Sequence, residues 1–95
     1  MKAFLVLTDV QALRDFELAF RTERSRGFTV VPILAGMGRT GLKAGTRVHP
    51  GASGMLLTVV EEADADATVA FLRRLRDEAG AAGATKIYAL PAEEI

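Results

Sequence analysis

Apolar residues recur along this chain in two rhythms, and the rhythms alternate. Lys2 to Leu7 is a continuous apolar run with β-branched and aromatic members, stopped by Thr8-Asp9, and predicts a first strand. Leu13, Phe16, Ala19 and Phe20 then repeat at helical spacing, with Arg14, Glu17, Arg21 and Arg24 between them. They predict a helix over about Asp9 to Ser25 that Gly27 terminates. Thr8 and Gln11 have capping-box spacing at its start. Phe28 to Leu34 reads as a second strand, in which Pro32 marks an edge or a bulge because it cannot donate to a ladder. Met55 to Glu61 reads as a third. Beyond a turn at Glu62 to Asp66, where Asp64 or Asp66 supplies a cap, Val69, Leu72, Leu75 and Ala79 form the stripe of a second helix. Phe71 is expected over its flank, and Gly80 ends it. Lys86 to Leu90 is a last strand, broken by Pro91 and followed by the acidic tail Glu93-Glu94-Ile95.

The order βαββαβ predicts an α+β, ferredoxin-like domain over residues 1–95: a four-stranded antiparallel sheet with both helices on one face. The strands are apolar on both sides of their alternation, so the second sheet face also needs cover, which predicts an oligomer. One connection breaks the economy of this plan. About twenty residues, 36–54, join the second and third strands where two to five would suffice, and such a length predicts a functional loop. It holds six of the nine glycines.

Composition narrows the function classes. With 95 residues, one domain is expected. Twelve basic residues balance twelve acidic ones, which argues against nucleic-acid binding by bulk charge. Only Phe4 offers an aromatic on the two central strands, so base stacking in the manner of an RNA-recognition module is not expected either. No cysteine is present, so disulfides and thiolate metal sites are excluded. The apolar runs are too short to predict a signal peptide or membrane insertion, and a cytoplasmic protein is expected.

Three places carry candidate chemistry. Gly36-Met37-Gly38-Arg39 combines close backbone approach with a planar guanidinium fork suited to phosphate or carboxylate. It opens no helix, so it is not a dinucleotide-binding fingerprint. Gly80, Gly83 and Lys86 follow at three-residue spacing; successive amides there suit an anion-binding nest with Lys86 as a point charge at its end. Either motif alone also fits a plain strand exit or helix stop. His49, the single histidine, stands beside Pro50 with no second ligand near it, so loop ordering explains it better than a metal. Arg21, Arg24 and Arg26 suit the negative end of a helix dipole. No activating triad is evident in the sequence around Ser25 or Ser53, and the carboxylates sit at turns and the tail, so no enzyme is predicted.

In order and spacing these features resemble the PII signalling proteins of nitrogen regulation and their PII-like relatives. The likeness runs from Met1-Lys2 and the first strand, through Gly27-Phe28-Thr29-Val30 and Gly36-Met37-Gly38-Arg39, to Gly80-x-x-Gly83-x-x-Lys86-Ile87. The second motif resembles the family's entry to its long T-loop and the last its B-loop. The resemblance implies a homotrimer packed sheet against sheet, with ATP, ADP or AMP in each cleft between neighbours. It implies that Gly36, Gly38, Arg39, Gly80, Gly83 and Lys86 line the phosphates, with Thr29 near the base, and that the loop regulates a target such as a transporter or enzyme. The chain departs from the family pattern at Thr40, where glutamine is usual, and at Ala84-Thr85, where an acidic residue and glycine are usual. Its loop is shorter and holds no tyrosine for nucleotidylation, so a divergent short-loop sensor of an adenine nucleotide or another anionic metabolite is expected. The alternative is a metal-responsive trimer like the divalent-cation tolerance proteins of the same architecture, which would require His49 to bind metal.

Overall fold

The computed structural model describes residues 1–33, 35–38, 41–44, 53–80 and 85–95, with side chains for 1–33, 53–80 and 85–95. In chain order the elements are β1 (Lys2–Asp9), α1 (Val10–Glu23), β2 (Thr29–Ile33), β3 (Ala35–Gly38), β4 (Gly41–Ala44), β5 (Ser53–Val60), a 3-10 turn (Glu62–Asp64), α2 (Ala65–Glu78) and β6 (Lys86–Pro91). The main sheet has the order β2-β5-β1-β6, and every neighbouring pair is antiparallel. With the β3–β4 hairpin set aside, this is the predicted ferredoxin-like arrangement.

Strand alternation sorts the apolar residues into two layers. Phe4 and Val6 of β1, with Leu56 and Val60 of β5, bury themselves against Leu13, Phe16 and Phe20 of α1 and Leu72 and Leu75 of α2. Each such side chain contributes roughly 1.5–3 kcal/mol by leaving water. Phe20 packs tilted against Phe71 at 5.2 Å and edge-on to Phe28 at 5.8 Å, which ties α1 to α2 and to the start of β2. Phe71 is therefore core, not flank, because α1 brings Phe20 over it.

The opposite parity faces outward. Leu5 and Leu57 stand opposite one another at its centre, and Leu5 stands opposite Tyr88. Val31, Val59, Tyr88 and Leu90 on this face are 37–48% exposed. Among the described residues no helix covers it. Four strands at about 4.8 Å spacing and about 20 Å long present a face of roughly 400 Å².

Several local expectations are corrected. Asp9, not Thr8 with Gln11, caps α1: its Oδ1 accepts from the Ala12 N–H at 2.8 Å, because Thr8 stays in β1 with its side chain turned inward. The helix ends at Glu23, well before Gly27, through Arg24 in the left-handed region (φ 63°), whose N–H donates to the Phe20 carbonyl at 3.1 Å. Asp64 occupies the cap position of α2 but makes no side-chain cap bond; its carbonyl accepts from the Thr68 hydroxyl at 2.8 Å. Gly80, at φ 66°, does end that helix. Pro91 is the last residue of β6, opposite Lys2, rather than the residue that breaks it. The connection predicted as loop over 36–54 contains the β3–β4 hairpin and the first two residues of β5. Gly38 pairs with Gly41 across a two-residue connection, a hairpin signal that glycine richness disguised as loop.

Candidate functional site at one end of the sheet

Four strand ends converge where the long connection leaves and re-enters the sheet. Pro32 stands opposite Gly54, and Gly54 opposite Thr8. Continuing the β1–β6 ladder one step past its Leu7–Lys86 pair sets Thr85 opposite Thr8. These form the last inward-facing row of the sheet, and it is tightly built. The Thr8 and Thr85 hydroxyls are 2.7 Å apart and both residues are buried. A Cβ on Gly54 would lie 2.3 Å from Leu13 Cδ2, so α1 closes on this row only because the position carries no side chain.

Of the predicted site residues, Lys86 directly adjoins this row, next to Thr85. Gly36 and Gly38 lie in β3, opposite Lys43 and Gly41. Gly80 closes α2, its N–H donating to the Asp77 carbonyl at 3.2 Å, and is exposed with open space around it. Lys86 opens β6 and is exposed, on the parity of the uncovered sheet face. Thr29, the first residue of β2, is exposed at the other end of its strand, opposite Leu57. Arg39, His49 and Gly83 lie outside the described residues. The exit of β2 toward Gly36 and the entry of β6 at Lys86 thus share one end of the sheet but occupy opposite edges. Three strand spacings, about 14 Å, separate them. Local pattern could not reveal Thr8, Thr85 and Gly54, because each matters through a residue distant in sequence.

At the other end of the sheet a cleft of about 240 Å³ is lined by Met1, Ser25, Arg26, Gly27, Val59, Val60, Glu61 and Asp64. Arg26 is committed to the fold there. Its Nε donates to Thr68 Oγ1 at 2.8 Å, a terminal nitrogen pairs with Glu23 at 2.8 Å, and the guanidinium lies 4.9 Å over the Phe71 ring. The Ser25 hydroxyl, first, holds the Glu23 carboxyl below its ordinary pKa; desolvation opposes it, and Arg26 adds to the lowering. Arg21 pairs with Glu17 at 3.1 Å along α1. Among the described residues no cluster of three His, Asp or Glu side chains is placed to hold a metal ion. Nor is any described helix long and apolar enough to cross a membrane.

Four antiparallel strands with two helices on one face define the ferredoxin-like class. Among solved structures, the chain is similar to CPII, a nitrogen regulatory PII-like protein from Thiomonas intermedia K12, solved bound to ADP, AMP and bicarbonate. The superposition has a TM-score of 0.61 at 17% identity and covers 94% of this chain and 84% of that one. At that identity the likeness is one of fold, and the fold is the one the sequence resemblance implied. No family model and no curated protein matches the sequence.

Proposed function

We propose that this chain is a PII-like regulatory protein that binds an adenine nucleotide, or another small anionic metabolite, in clefts between the subunits of a homotrimer. In this reading it binds and signals rather than catalyses, and the connection over residues 36–54 acts on a partner protein.

The observation that supports the reading is an apolar sheet face left uncovered among the described residues, with Lys86 at one of its ends. Lys86 and the exit toward Gly36 lie at the same end of the sheet but on opposite edges. A ligand the size of a nucleotide phosphate chain meets both most readily when the edge of one chain lies against a second chain. Packing the open faces together buries Val31, Val59, Tyr88 and Leu90 and brings edges of neighbouring chains near one another. The ADP and AMP bound to the similar CPII protein support an adenine nucleotide as the first ligand to try. In this reading Lys86, with Arg39, supplies the charge that faces the phosphates.

A thermal-shift panel with ATP, ADP, AMP, bicarbonate and divalent metals, at fixed protein concentration, tests it. A ligand present at 100 times its Kd adds about 2.7 kcal/mol. For a domain of this size that raises the Tm by roughly 10–20 °C. The expected result is a nucleotide shift that Lys86→Ala and Arg39→Ala each reduce. A shift with metals alone that His49→Ala abolishes would instead favour the divalent-cation alternative.

A further inference from the structure

The Thr8–Thr85 hydroxyl pair stands where the β1–β6 ladder ends. The last paired residues are Leu7 and Lys86, and one step further the backbone pairing stops. At that step a side-chain bond of 2.7 Å replaces it, joining residues 77 apart in sequence, and both threonines are buried, at 3% and 6% exposed. Thr85 faces inward, so Lys86, its neighbour in an extended strand, faces outward. Whatever fixes Thr85 therefore fixes the backbone from which Lys86 projects. Thr8 is itself held: it lies opposite Gly54 in β5 and directly precedes Asp9, whose carboxylate caps α1. The pair thus links the entry of β6 to the start of α1 and to the strand on which the 36–54 connection returns. Cross-strand threonine pairs of this kind stabilise a ladder locally, and here the ladder has no further rung.

We propose that Thr8 and Thr85 form a latch that holds the entry of β6 on β1, making both of them positioning residues for Lys86 in the anion site. The ligand half of this inference rests on the nucleotide-binding reading above; the latch half does not. Opening the latch leaves the β1–β5 ladder and the helix layer intact, because neither hydroxyl takes part in them.

Native-state amide hydrogen exchange in the ligand-free protein, paired with ADP titration, tests both halves on Thr85→Val, Thr8→Val, the double variant and Thr85→Ser. Valine keeps the volume and removes the hydroxyl. Exchange at the start of β6, Lys86 and Ile87, is expected to quicken about fivefold, the factor a net hydrogen bond carries. Leu56 in the sheet centre is expected to keep its wild-type rate. ADP affinity should fall by a similar factor in either single valine variant. The double variant should fall no further, since it leaves no buried hydroxyl unpaired. Thr85→Ser should restore both. Unchanged exchange at Lys86 and Ile87, or an equal rise at Leu56, overturns the latch. Faster exchange with ADP affinity intact overturns the positioning role. Wild-type protein that binds no ADP refutes the nucleotide reading, while the exchange arm still decides the latch.

Discussion

Replacing Gly54 by alanine sets two effects against each other, and the structure says which wins. Gly54 has no positive φ, so alanine there meets no backbone strain. Taken alone the change would stabilise by about 0.4–1 kcal/mol by restricting the unfolded chain. The added Cβ, however, would stand 2.3 Å from Leu13 Cδ2, and the Val31 carbonyl oxygen at 3.5 Å closes the other side. Leu13 is itself buried among the core residues, so its methyl group can move only by disturbing its neighbours. Overpacking of this kind costs about 1–3 kcal/mol. The expected net loss of about 1–2 kcal/mol corresponds to a fall in Tm of roughly 4–16 °C. Gly27→Ala is the control: its Cβ meets nothing within 4 Å, so that variant is expected to match or exceed wild type. Thermal and urea unfolding at one protein concentration measure both. A double-mutant cycle sharpens the test. Leu13→Ala alone should cost about 2–5 kcal/mol. Combined with Gly54→Ala it should cost at least about 1 kcal/mol less than the sum, because the new methyl group enters the vacated space. Gly54→Ala protein as stable as wild type, or strict additivity with Leu13→Ala, would refute this account of the junction.

Further expectations follow from the two layers of the sheet and from the Arg26 cluster. Phe71→Ala removes the ring that packs on Phe20 and lies beneath Arg26 and Arg74, and is expected to cost about 3–5 kcal/mol in chemical denaturation. Leu57→Glu places a charge at the centre of the open face; if the proposed trimer forms through that face, light scattering on a sizing column should show wild type larger than the variant, which runs as monomer with the circular dichroism spectrum retained. Glu23 should titrate below an ordinary glutamate by NMR, and Ser25→Ala should move it back toward the usual value. The sign follows from linkage: with its folded pKa depressed, Glu23 contributes stability above its unfolded pKa and loses it as pH falls through the folded one.

Periodicity carried the layer plan because burial is what periodicity records. Leu13, Phe16 and Phe20 stand in the core where their spacing put them, and the strand order followed from two interleaved βαβ units. The glycine-rich stretch misled, since the same residues that permit close approach to a ligand also pair in a ladder, Gly38 opposite Gly41. Arg24 as a left-handed helix end was illegible because non-glycine residues seldom adopt that conformation, while Gly27 nearby offered the commoner signal. At the site, Lys86 could be placed at a strand entry by local pattern. The Thr8–Thr85 bond could not, because a hydroxyl pair 77 residues apart leaves no local trace. Gly54 looked like loop composition, and its meaning lies in how closely Leu13 approaches it.

Titration calorimetry of ADP into the purified protein, repeated on Lys86→Ala, measures the central claim directly. The account predicts saturable binding with one nucleotide per chain, markedly weaker in the variant. Absence of binding at millimolar ADP, or an affinity indifferent to Lys86, would contradict it.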